Sequence, residues 1–159
     1  PEQGSTFSVF LPPTTRPVLD ATAETPIKPP VAAGPSRTIL LAEDEEMVRE
    51  LARVTLQRAG YRVFEANDGP EALKLWTKHR HEIDLLLTDM VMPNGMTGCE
   101  LSQRLLVDQP NLPVIYSSGY SIELTAPGLN ENERLVFLPK PYLTGQLLTV
   151  VDRCLSQAV

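Results

Sequence analysis

Five side chains, far apart in the sequence, carry the chemistry this chain can do. Three are acids, Glu43, Asp44 and Asp89; one is a hydroxyl, Ser118; one is an ammonium, Lys140. Each directly follows or closes a short apolar run, and that shared placement makes them a set. Three carboxylates drawn together repel one another unless a cation or an ammonium offsets the charge. A hard divalent ion such as Mg2+ takes oxygen ligands, keeps some of its waters and suits a site shared with a phosphate. Lys140 can neutralise Asp89 at rest and later meet a phosphoryl oxygen. Ser118 can offer its hydroxyl to the same group.

The elements that must position these residues are legible as runs and periodicities. Thr38-Ile39-Leu40-Leu41-Ala42 is apolar and stops at the acidic cluster Glu43-Asp44-Glu45-Glu46. Residues 46–59 carry apolar side chains at 47, 48, 51, 52, 56 and 59, a helical spacing that Gly60 ends. A strand is expected over 61–66 and a helix over 70–80. A buried strand over 83–88 ends on Asp89, followed by a helix over 98–107. The spacing then predicts a strand over 114–117, another over 135–138, and a final helix from Leu143 to about Ala158. Residues 121–134 hold the weakest periodicity, with Pro127-Gly128 inside what should be a helix, so they do not define an output face. Short strands that are continuously apolar are buried on both faces, which implies a five-stranded, doubly wound parallel α/β sheet covered by helices. Ligands of such sheets bind beyond the carboxyl ends of the strands, where strand order reverses. That edge is where the five residues fall.

Composition bounds the alternatives. The 159 residues are 42% hydrophobic and 21% charged, with a net charge of −6. That supplies a core and withholds the basic footprint of a nucleic-acid or anionic-lipid binder. Apolar runs of about 18 residues are absent from the sequence, as is a leader-like opening. Cys99 and Cys154 lack metal-ligand spacing, and a reduced, cytoplasmic setting without direct membrane contact is expected. The first residue is Pro1, which suggests a piece of a longer polypeptide. Prolines 12, 13, 17, 26, 29, 30 and 35 mark residues 12–36 as a linker. Ahead of it, Ser5 to Leu11 alternates in the manner of a strand.

Together these motifs resemble the receiver domains of bacterial two-component signalling, which have the flavodoxin-like fold. The matching segments are Leu41-Ala42-Glu43-Asp44, Asp89-Met90-Val91-Met92-Pro93, Ser117-Ser118-Gly119-Tyr120 and Pro139-Lys140-Pro141-Tyr142. Their order and spacing across residues 37–159 are specific, although each alone is weak. The resemblance implies that Asp89 is the phosphoacceptor and that Lys140 and Ser118 assist it. It implies a Mg2+ site of Asp44, Asp89, the Val91 backbone carbonyl and, through water, Glu43. Ser118 and Phe137 would form a switch pair. The partner would be a phosphohistidine-bearing domain of a kinase or phosphotransfer protein, with a weak homodimer left open. Residues 1–11 look like the closing strand of a histidine-kinase ATP-binding domain, so the layout is that of a hybrid kinase. Glu43 stands where the family more often has Asp, and the loop from Pro93 to Gly98 is one residue longer than in many members.

Each of these residues has a plainer role against which the set must be weighed. An Asp at a strand end often caps a helix, and acids at 43–46 favour a helix N-terminus. That account suffices for Glu45 and Glu46. His79 and His81 sit where cations help a helix C-terminus, and Trp76 is most simply packing. An aspartate-nucleophile phosphatase would need a second acid where Val91 stands, and a P-loop hydrolase would need a Gly-Lys-Ser/Thr loop that is absent. The resemblance places Val91 and Tyr120 beside the acceptor, and neither side chain readily positions an attacking water, so it implies slow loss of an acyl phosphate.

Overall fold

A computed structural model describes residues 37–92, 95–119 and 135–157. The readings of residues 1–11, 12–36 and 121–134 lie outside the described residues, as does Tyr120. The described residues form five strands: β1 Thr38–Ala42, β2 Arg62–Ala66, β3 Leu85–Asp89, β4 Val114–Ser118 and β5 Leu135–Pro139. Among the described residues four helices accompany them: α1 Glu46–Arg58, α2 Gly69–His79, α3 Gly98–Asp108 and α4 Thr144–Ser156. The strands form one parallel sheet in the order β2-β1-β3-β4-β5.

Sequence explains the strand positions. In β1 and β4 every residue is buried, and in β3 all but the last are. Such strands take apolar side chains on both faces, and complete burial of a leucine contributes about 1.5–3 kcal/mol. β2 lies at an edge, and its Arg62 and Glu65 are exposed accordingly. Leu85, Leu87, Ile115, Val151 and Leu147 pack with α1 and α4 on one face. Leu86, Val114, Tyr116, Leu101 and Trp76 pack with α2 and α3 on the other. The Trp76 indole N–H donates to Asp108 at 3.0 Å, tying α2 to α3.

Most boundaries shift by a residue or two from the expectation, and two of the shifts coincide with local hydrogen bonds. Tyr61 is not in β2, because its N–H closes α1 on the Leu56 carbonyl while the Gly60 N–H closes on Gln57. That double closure needs a left-handed residue, supplied by Gly60 at φ 94. β3 begins at Leu85 rather than 83; Asp84 just ahead of it is tied to the start of β1, its N–H donating to the Thr38 carbonyl and its carboxylate accepting from the Thr38 N–H and the Arg37 guanidinium, all at 2.8 Å. Among the described residues no helix is long and apolar enough to cross a membrane.

Candidate functional site

The chain runs from β1 outward to β2, then crosses to β3 on the other side of β1. This reversal opens a crevice beyond the carboxyl ends of β1 and β3. Glu43 and Asp44 follow β1 directly, and Asp89 is the last residue of β3. One carboxylate oxygen from each lies within 4.8 Å of the other two. Glu43 is 2% exposed and Asp44 is exposed, so the cluster has a buried floor and an open side. Hard oxygen donors this close together, one side accessible to water, fit a small divalent ion.

Lys140, immediately past β5, completes the cluster. Its Nζ lies 2.6 Å from Asp89 Oδ2 and 2.7 Å from Glu43 Oε2. Burial pushes the Glu43 carboxyl up to about 6, against the pull of its bond with Lys140. Burial also opposes the Lys140 charge, yet the bonds from Asp89 and Glu43 outweigh it and raise that pKa. The ammonium therefore stays charged and counters two acids at once. The Asp89 Oδ1 accepts from the Val91 N–H at 3.1 Å, which holds the carboxylate outward at the strand end.

Ser118 closes β4 and is buried. It lies one residue beyond the Asp89↔Ser117 register pair, and its carbonyl accepts from the Lys140 N–H at 2.8 Å. Phe137 is set apart from the acids. It stacks on Tyr116, its register partner in β4, with centroids 5.5 Å apart. Alternation along β4 puts Tyr116 and Ser118 on one face, so Ser118 and Phe137 share a side of the sheet. The structure thus draws Glu43, Asp44, Asp89 and Lys140 into contact range, with Ser118 on the adjoining strand and Val91 on the loop after Asp89. His79 stacks on Phe64 and bonds to Glu82, remote from this cluster in the fold.

Two residues that build the site have no counterpart in the sequence reading. Arg49 donates from Nη1 to the carbonyls of Glu43 at 2.8 Å and Asp44 at 3.2 Å, clamping the acidic loop. A cation near a helix N-terminus opposes the dipole, and that anomaly was its available signal. Gly98, the first residue of α3, is the other. A Cβ there would lie 2.0 Å from the Asp89 carbonyl oxygen. Its N–H donates to the Met90 carbonyl at 3.1 Å, and the Thr97 capping box fixes where the helix starts. α3 is thereby seated against the peptide of Asp89.

Comparison with known proteins agrees with this geometry. Residues 39–152 match the family described as "Response regulator receiver domain". The chain is 35% identical over 162 residues to the sensor kinase CckA of Brucella abortus, covering 98% of this chain and 17% of that protein. It is 36% identical to the crystal structure of the receiver domain from the hybrid histidine kinase CckA. That match covers 74% of this chain and 98% of the other, at a TM-score of 0.64. A receiver protein from Sinorhizobium medicae superposes with a TM-score of 0.70 at 28% identity, covering 78% of this chain and 98% of that one.

Proposed function

The chain belongs to the response regulator receiver domain family of two-component signalling, and from that premise we propose that Asp89 is its phosphoacceptor. The observation that carries this is the Lys140 ammonium 2.6 Å from Asp89 at the crevice edge, with two further acids within 4.8 Å. The carboxylate attacks phosphorus on a phosphohistidine; the new O–P bond forms as the N–P bond breaks, and the imidazole departs and takes up a proton. Lys140 follows the transferred oxygens, and the Ser118 hydroxyl accepts their approach by donating to one of them. Phe137 then repacks against Tyr116 as the Ser118 end of β4 moves.

Asp44, Asp89 and the Val91 carbonyl would hold Mg2+, with Glu43 acting through water. When bound, the ion offsets negative charge gathering on the phosphoryl oxygens. Large apolar side chains stand exposed within three residues of the site in sequence: Met47, Val91 and Leu143. They supply the surface on which a histidine-bearing partner would dock. The similarity to the Brucella kinase extends past the receiver to 98% of this chain, which supports residues 1–11 as a kinase-domain remnant, 12–36 as a linker and 37–159 as the receiver. A hybrid kinase working at the cytoplasmic side is the layout this favours.

The test is phosphorylation by acetyl phosphate with Mg2+, read by intact mass. Wild type gains one phosphoryl group and Asp89→Asn gains none. Label that survives the substitution, or that never appears on wild type, overturns the assignment.

A further inference from the structure

Position 117 is polar in a strand that is otherwise well suited to burial. Ser117 is 1% exposed, and its hydroxyl finds no hydrogen-bond partner among the described residues. An orphan of this kind costs about 1–3 kcal/mol, so its retention needs a reason. Register supplies its surroundings. Ser117 of β4 is the register partner of Asp89 in β3 and of Leu138 in β5. Alternation places its side chain on the face shared by Ile115, Leu87 and Leu138, which is also the face of Asp89.

The polar group that meets Ser117 on this face is the phenol of Tyr142, half-buried against the same cluster. Burial, and then the negative charge of Glu43, hold its proton more tightly than usual, while contact with the Ser117 hydroxyl and the charge of Lys140 pull the other way without prevailing. A phenol kept protonated is a donor, and the Ser117 oxygen is an acceptor that needs one. Tyr142 also lies two residues past Lys140. The Lys140 segment is fixed on one side by its N–H on the Ser118 carbonyl, and Tyr142 is where the other side can be fixed.

We propose that Ser117 and Tyr142 form a positioning pair, the phenol donating to the Ser117 hydroxyl and so holding the Lys140 segment against the strand beside Asp89. The pair sets how the ammonium divides between Glu43 and Asp89. This inference rests on Asp89 being the acceptor, and its test is built so that the two can fail separately.

Labelling by acetyl phosphate and Mg2+ is timed on the full chain as wild type, Tyr142→Phe, Ser117→Ala, Ser117→Thr and the Phe/Ala double variant. The Lys140 Nζ resonance is followed by 15N NMR in each. Each single loss slows labelling about threefold to tenfold, the worth of one net hydrogen bond. The double variant is no slower than either single, Ser117→Thr stays near wild type, and Tyr142→Phe shifts the Nζ resonance under native conditions. Wild-type labelling with an unmoved Nζ resonance in Tyr142→Phe overturns the pair. Losses that multiply in the double variant overturn it too, since they mean that each hydroxyl bonds separately, for instance to a trapped water. Wild type that takes no label overturns the Asp89 assignment itself, and the pair with it.

Discussion

Gly98→Ala is the perturbation whose consequence follows most directly from the geometry. The added Cβ would stand 2.0 Å from the Asp89 carbonyl oxygen, 2.9 Å from Thr88 Oγ1 and 3.0 Å from the Asp89 carbonyl carbon. Ordinary contact begins at 3.4 Å, so the closest approach is short by about 1.4 Å. Two of the three atoms are backbone in a central strand and cannot swing aside as a side-chain tip would. Either α3 lifts from the sheet, loosening Leu101 and Leu105, or the end of β3 moves and carries Asp89 with it. Overpacking of this kind costs about 1–3 kcal/mol. Displacing a reacting group by about 1 Å can cost on the order of 100-fold in rate. Urea denaturation and timed acetyl-phosphate labelling read the two effects. Gly60→Ala is the control: its φ of 94 is unfavourable for alanine by about 1 kcal/mol, but no atom lies within 4 Å of the added carbon. It should lose stability and keep the labelling rate. Gly98→Ala that labels at the wild-type rate, or that loses no more stability than Gly60→Ala, refutes the reasoning.

Three other outcomes follow from the same site. The Glu43 carboxyl is raised from 4.5 to about 6 on folding, so the folded chain binds that proton more tightly than the unfolded chain does. Without Mg2+, this contribution is intact below pH 4.5 and falls by about 2 kcal/mol as pH rises through 6, a slope that denaturation from pH 4 to 8 would read and that Glu43→Gln should flatten. Lys140→Met leaves two acids facing each other and should destabilise the metal-free protein by about 3 kcal/mol at pH 8 but much less at pH 5, where Glu43 is protonated; equal losses at both would contradict it. Finally, Val91 is apolar and 70% exposed beside Asp89, so the acyl phosphate should persist for minutes or longer after the donor is removed, and a half-life of seconds would count against that.

The legible and illegible parts of this protein divide by the range of the interactions that create them. β1, β3 and β4 were readable because strands buried on both faces need unbroken apolar runs, and α1 because its apolar spacing ends in a glycine at the closing position. The acids and Lys140 were readable because the ends of such strands point into one crevice. Contacts between distant segments were not. Lys140 bonds Glu43 across 97 positions, and its sharing between two acids emerges only once β5 lies beside β4. Gly98 looks like any helix-opening glycine until α3 is set on the Asp89 peptide. Ser117 reads as the neighbour of Ser118, and only register reveals it as the partner of Asp89. The β2 and β3 boundaries moved where Tyr61 and Asp84 spend their hydrogen bonds on a helix end and on the Arg37-Thr38 segment.

Reduction of an acyl phosphate by borohydride turns the modified aspartate into homoserine, which a peptide mass spectrum places at one position. After treatment with acetyl phosphate and Mg2+, the conversion is predicted at Asp89 alone. It should vanish when Mg2+ is chelated before the donor is added. Homoserine at Asp44 or the corresponding five-carbon alcohol at Glu43 in place of conversion at Asp89, or none in a protein that has gained a phosphoryl mass, would contradict the account.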